Sequence, residues 1–118
     1  MKENVIKDKS YAFALKIVTL CRKLNKEKQF ILSKQLLKSG TSIGANVEEA
    51  IGGQTPKDFR AKLFIAYKEA RESHYWLRLI RDSNLISKKS AQTLLDDCHE
   101  LKSILGAILN TMNNKLNR

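Results

Sequence analysis

Residues 55–82 read TPKDFRAKLFIAYKEARESHYWLRLIRD, and the fold is decided by how this stretch is read. Thr55 precedes the chain's one proline, Pro56, and then Asp58. A hydroxyl that can accept first-turn N–H groups, a residue without an N–H where none is needed, and a carboxylate at the positive helix end together mark a start. The spacing predicts a helix over 56–82. At about 100° per residue, Phe59, Leu63, Ile65, Ala66, Ala70, Trp76, Leu77, Leu79 and Ile80 cover an arc of roughly 200°, wider than the ~100° stripe that one bundle core requires. The surplus face, centred on Trp76 and Ile65, is expected to meet a second copy of the chain. The plainer alternative is cover by a loop or by the N-terminal segment.

Three charges, Lys62, Glu69 and Glu72, point into that apolar arc, where a charge must be paired or neutralised. Asn46 and Glu49, on the flank of the preceding helix, are their candidate partners in a buried polar cluster at the helix or subunit contact; for Lys62 and Glu72 the alternative is that their long side chains reach out to water. Along the opposite edge Arg60, Arg71, Arg78 and Arg81 alternate with Phe64, Tyr67 and His74. Cations that neutralise phosphates, interleaved with rings that stack on unpaired bases, are the pattern for single-stranded nucleic acid. The alternative is a solvated face, with Asp82 pairing Arg78 and the rings packing inward.

Outward from this segment the hydrophobic period stays helical. Ser10 reads as the cap of a first helix over about 10–25, with Phe13, Ile17, Leu20, Cys21 and Leu24 on one face. A second helix is predicted over 28–51, where Leu32, Leu36, Ile43, Val47 and Ala50 stay in phase across a run of small residues. Gly40 and Gly44 disfavour it by about 1 kcal/mol each, so close helix packing is their expected purpose. Gly52-Gly53 is expected to end it. Ser87 caps a fourth helix over 88–115, whose apolar run is Ala91, Leu94, Cys98, Leu101, Leu105, Ile108, Met112 and Leu116. The fold class is all-α, an antiparallel up-down-up-down four-helix bundle in one domain spanning 1–118.

With 118 residues the chain has room for one such domain, which excludes a two-domain enzyme. Twenty-two Lys and Arg against twelve Asp and Glu leave a net charge of +10, a field that favours polyanions. Residues 1–28 carry eight Lys or Arg against three acids, so Lys16, Arg22 and Lys23 are further candidates for a nucleic-acid footprint. The longest charge-free stretch, Ser103 to Asn114, is shorter than the ~20 residues of a membrane span. The charged start, MKENVIKDKS, lacks a secretory h-region, and a cytoplasmic location with both cysteines reduced is expected.

No catalytic, metal or cofactor site is predicted. No Glu is followed three residues later by His, as a carboxylate di-iron bundle needs. In Asp96-Asp97-Cys98-His99-Glu100 the thiol faces the core while Asp97 and His99 diverge around the helix. Gly40-x-x-x-Gly44 lacks the Lys-Ser/Thr of a phosphate loop.

The run Leu36-Leu-Lys-Ser-Gly-Thr-Ser-Ile-Gly-Ala-Asn-Val-Glu-Glu-Ala50, with Asp58-Phe59, Lys62, Ala66-Tyr-Lys-Glu-Ala70 and Glu72-Ser-His-Tyr-Trp-Leu77, closely resembles the four-helix-bundle family of 23S rRNA intervening-sequence proteins. The resemblance spans nearly the whole chain. It implies a ring-shaped homopentamer, and its related branch, the accessory proteins of diversity-generating retroelements, implies binding of nucleic acid and of a reverse transcriptase. It also implies that Ser39 to Ala50 and Phe59 to Leu77 build the contact of the second helix with the third and the subunit packing. It lends no catalytic residues. Where the family pattern has Arg before Ser-Gly-Thr-Ser, this chain has Lys38, which cannot make the same planar bidentate contact. The expectation is therefore a non-enzymatic, basic, oligomeric bundle binding RNA or single-stranded DNA. The alternative is a protein-binding scaffold for a partner enzyme, without direct nucleic-acid contact.

Overall fold

The computed structural model describes residues 2–116, with side chains over 5–115. Four helices, α1 (Lys2–Lys26), α2 (Phe30–Ile51), α3 (Pro56–Asp82) and α4 (Lys88–Leu116), follow one another without a strand among the described residues. Each packs on its neighbours in chain order, and α4 returns to α1, the slightest of the four seams. The short joints 27–29, 52–55 and 83–87 reverse the direction each time, so the bundle is antiparallel, up-down-up-down, and elongated at 50 × 21 × 21 Å.

Helix α3 spans the predicted residues, and the Thr55 hydroxyl accepts from the Asp58 N–H at 3.1 Å. The Ser87 hydroxyl accepts from the Ser90 N–H at 3.1 Å at the start of α4. The expected cap at Ser10 is overturned, because α1 begins eight residues earlier and Ser10 is wholly buried within it. Its hydroxyl donates to the Lys7 carbonyl at 3.1 Å. Ile6, 1% exposed, extends the stripe of Phe13 and Ile17 upstream at helical spacing, and core burial there outweighs the capping preference. The Leu116 side chain, counted above in the α4 stripe, lies outside the described side chains.

Two helix ends are built without glycine. After α1, the Lys28 N–H donates to the Asn25 carbonyl at 3.0 Å and the Gln29 N–H to the Leu24 carbonyl at 2.8 Å. After α3, Asn84 and Leu85 donate in the same pattern to Arg81 and Ile80, at 3.1 and 3.2 Å. These paired bonds form Schellman motifs, with Lys28 (φ 62°) and Asn84 (φ 60°) in the left-handed position. Gly52 and Gly53 end α2 as expected, and neither has positive φ, so this helix closes without a left-handed residue. A Cβ on Lys28 is unfavourable in this conformation, and Lys28→Gly is expected to stabilise the bundle by about 1 kcal/mol. A higher urea midpoint at unchanged m-value is the result to look for.

The core runs the length of the bundle through Phe13, Ile17, Leu24, Leu36, Ile43, Leu63, Leu77, Ile80, Leu101 and Leu105. Small polar groups cross three of the seams inside it. Cys21 and Ser33 exchange hydrogen bonds between side chain and carbonyl across α1–α2, at 3.4 and 3.2 Å. The Ser73 hydroxyl donates to Ser39 at 2.9 Å across α2–α3, and the Cys98 thiol donates to the Ala70 carbonyl at 3.2 Å across α3–α4. Among the described residues no buried side-chain N or O atom lacks a partner, the condition under which polar groups cost a core little. Burial pushes the Cys98 thiol up to about 12, so it stays protonated as a small hydrophobe. The α1–α4 seam is bridged instead by surface ion pairs, Lys9–Glu100 at 3.0 Å and Lys16–Asp97 at 2.7 Å.

Gly40 and Gly44 serve the contact of α2 with α1, not with α3. A Cβ on Gly40 would lie 2.9 Å from two Ile17 side-chain carbons, Cγ1 and Cγ2, and one on Gly44 would lie 3.3 Å from the Ser10 hydroxyl. The small-residue run thus lets two backbones approach, while its serine faces α3.

Candidate nucleic-acid interface

The register of α3 against α4 is set from inside. Cys98 meets Ala70, Gly106 lies beside the Tyr67 ring, and the Arg60 Nε donates to Asn113 at 2.6 Å. Antiparallel packing in this register carries Lys102 of α4 beside the middle of α3. There Lys68, Arg71, His74, Tyr75, Arg78 and Lys102, with Glu72, line an open depression of about 510 Å³. Four fixed cations thus surround one hollow that contains one carboxylate. Like charges gathered in this way repel one another, and their summed field at the hollow is positive.

Two aromatic rings join the hollow to the outer face of α3. The Arg78 guanidinium carbon lies 5.7 Å from the centre of the Tyr75 ring, a cation–π contact. Tyr75 meets Trp76 edge to face with centres 5.1 Å apart, and the Trp76 Nε1 donates to Glu72 at 3.3 Å. Beside these, Ile65 and Leu79 remain 40% and 36% exposed, while Trp76 is half-buried against the core. The chain therefore leaves part of the wide apolar arc of α3 uncovered, as its width requires.

The predicted arginine strip divides. Arg71, His74 and Arg78 converge in the hollow. Arg60 is held by Asn113 near the far end of α3, and Arg81 pairs with its neighbour Asp82 at 2.8 Å, taking the partner expected for Arg78. Tyr67 packs against the core and Phe64 is exposed. Lys16 and Lys23 border a separate groove of about 440 Å³ between α1 and α4, floored by Leu20, Ile86 and Leu94. Arg22 is exposed on α1, a helix that does not pack on α3. Lys68, Tyr75 and Lys102 were missing from the sequence reading. A strip widened by about 40° around the helix would have admitted Lys68 and Tyr75, but Lys102 enters only through the α3–α4 register.

The expected buried polar cluster does not form within the chain. The Asn46 amide is spent on the Ser42 carbonyl of its own helix at 2.8 Å. Lys62 and Glu49 border a small open depression at the α2–α3 joint, without an ion pair between them, and Glu72 is exposed. Long side chains on the flank of a stripe reach water without entering the core, which removes the need for partners. Burial, followed by repulsion from Glu72, raises the Glu69 carboxyl above its ordinary range, and Lys38 and Lys68 oppose that rise. Lys38 thus acts on Glu69 through space rather than through a paired contact.

His74 is the titratable group of the hollow. Burial pushes its imidazole below the ordinary range, and Lys102, Arg78, His99 and Arg81 push it further. Among the described residues no cluster of His, Cys, Asp and Glu has the makings of a metal site, and no helix is long and apolar enough to cross a membrane.

Fold and surface together define a class, the basic antiparallel four-helix bundle with a cationic hollow on one seam. The family described as 23S rRNA-intervening sequence protein matches residues 2–107, and the chain belongs to it. A crystal structure at 1.70 Å of a protein with unknown function from the S23 ribosomal protein family of Bacteroides thetaiotaomicron VPI-5482 is 46% identical. It superposes with a TM-score of 0.90 over 93% of this chain and 99% of that one. No curated protein matches the chain.

Proposed function

We propose that this chain is a non-enzymatic bundle that binds RNA or single-stranded DNA at the hollow between α3 and α4, and that it works as a ring-shaped homo-oligomer, pentameric by its resemblance. The observation that carries the binding is convergence. Lys68, Arg71, Arg78 and Lys102 come from two helices to one open hollow beside an exposed ring, Tyr75. Charge attracts the strand backbone, and the ring offers a stacking surface that unpaired bases can use. The family's name makes RNA the first strand to try.

Labelled single-stranded RNA, titrated at about 50 and 200 mM salt, tests the reading, because log K falls by about 0.7 per neutralised phosphate for each decade of salt. Replacing Arg71, Arg78 and Lys102 together by Gln is expected to flatten that slope by about 2. Absence of binding at the lower salt would remove the proposal.

A second reading rests on a different observation. Tyr11 and Leu15 on α1, with Phe30, Ile31 and Leu37 on α2, are exposed, Ile31 to 81%. With Ile65 and Leu79 on α3, exposed apolar side chains thus stand on three of the four helices. Unlike surfaces on different helices suit head-to-tail contact between copies, which closes into a ring, and such a surface would also serve a scaffold for a partner protein.

A further inference from the structure

We propose that His74 couples the hollow to pH, so that seating a strand phosphate there takes up a proton on the imidazole and binding tightens as the solution becomes more acid. The inference rests on the binding just proposed and adds the regulation of the same site. His74 stands on α3 between Arg71, one turn before it, and Arg78, one turn after, inside the hollow that Lys68 and Lys102 also line. The charges that reach it come from two helices, Arg78 and Arg81 on its own, Lys102 and His99 on α4. The hollow's one carboxylate is Glu72. With the hollow empty, a proton on this ring adds a further positive charge to a crowded cluster, and the imidazole stays neutral near pH 7.

An anionic phosphate reverses the sign of that field. A neutral imidazole has one N–H to offer, whereas the protonated ring has two donors and a full charge, both favourable toward phosphate oxygens. The bound state therefore holds the proton to higher pH than the free state. Linkage sets the direction: affinity is flat above the bound-state value, rises as pH falls between the two values, and levels off below the free value. The total rise is about tenfold for each pH unit separating them. His99, the chain's other histidine, is not among the residues that line the hollow, so it serves as the control.

The experiment uses the full chain and a labelled oligouridylate at constant ionic strength, at about pH 5.5 and 7.5, with the wild type, His74→Gln and His99→Gln. Tighter wild-type binding at the lower pH, lost in H74Q and kept in H99Q, is the expected result. In parallel, the titration midpoint of the His74 ring protons by NMR should rise on saturation with the strand, a readout that needs no variant. Binding that ignores pH, a pH effect that survives in H74Q, or an unmoved midpoint in the complex overturns this inference while leaving the binding site intact. No binding at either pH and low salt overturns both.

Discussion

Gly40→Val is expected to destabilise the bundle by about 3 kcal/mol, and Ile17→Ala in the same chain is expected to return much of that loss. The added Cβ would sit 2.9 Å from both Ile17 Cγ1 and Cγ2 and 3.3 Å from Ile17 Cβ. Neither side chain can turn away, because Gly40 is buried and Ile17 is 0% exposed. Glycine inside a helix itself costs about 1 kcal/mol relative to alanine, so any side chain gains some helical preference. For Gly40→Ala that gain offsets only part of the clash, because the Cβ alone already meets Ile17, and a loss smaller than valine's is expected; valine adds two further methyl groups. Ile17→Ala alone removes core contacts and costs about 2–5 kcal/mol. The two changes share one space, so their costs should fall short of additivity by more than ~1 kcal/mol in urea unfolding. Additivity would mean that this contact does not limit the approach of α1 and α2.

Assembly offers the other large effect. The purified wild type should scatter light as a multiple of 13.5 kDa, and Ile65→Asp with Leu79→Asp should reduce it to a single copy. Both side chains are exposed in the isolated chain, so a change of this kind leaves the fold intact and acts where copies meet. Burying an Ile or Leu contributes about 1.5–3 kcal/mol, and an unpaired carboxylate in its place adds a desolvation cost to the loss. Tyr11→Asp with Leu15→Asp, on α1, should have the same consequence. Mixing the two variants then separates the geometries. Copies joined head to tail retain one good face each and should form a mixed dimer, whereas a self-complementary two-fold contact yields none. A wild type that stays at 13.5 kDa at micromolar concentration would end the ring proposal.

How far the sequence could be read depended on whether the deciding contact was local. Caps at Thr55 and Ser87 are one-turn hydrogen bonds, and their residue types announce them. The start of α1 was hidden because Ser10 satisfies the capping pattern, while Ile6 signals the earlier turn alone. The ends at Lys28 and Asn84 were illegible, since glycine is the usual mark of a left-handed position and neither residue is one. The surplus apolar arc of α3 could be read from its width, whereas the exposed Tyr11, Leu15 and Leu37 gave no such signal, because they are divided between two helices. The hollow was half legible for the same reason. Arg71 and Arg78 share a face of one helix, whereas Lys102 joins them through a register fixed by Ala70, Tyr67 and the small residues opposite. Asn46, Glu49 and Lys62 were read as a cluster because their faces converge, but the Asn46 amide is taken by the Ser42 carbonyl of its own helix, a local bond that face geometry does not reveal.

The antiparallel course has a further consequence for how the molecule can be handled. With α1 and α4 side by side and opposite in direction, the first turn of α1 and the last turn of α4 lie at the same end of the bundle. A tether of modest span could join them, and a cut between Ile51 and Pro56 would then leave every seam of the bundle in place. The helices would occur in a different covalent order around the same interior. What specifies this architecture is the matching of faces, and the order of synthesis is one of several threadings compatible with it.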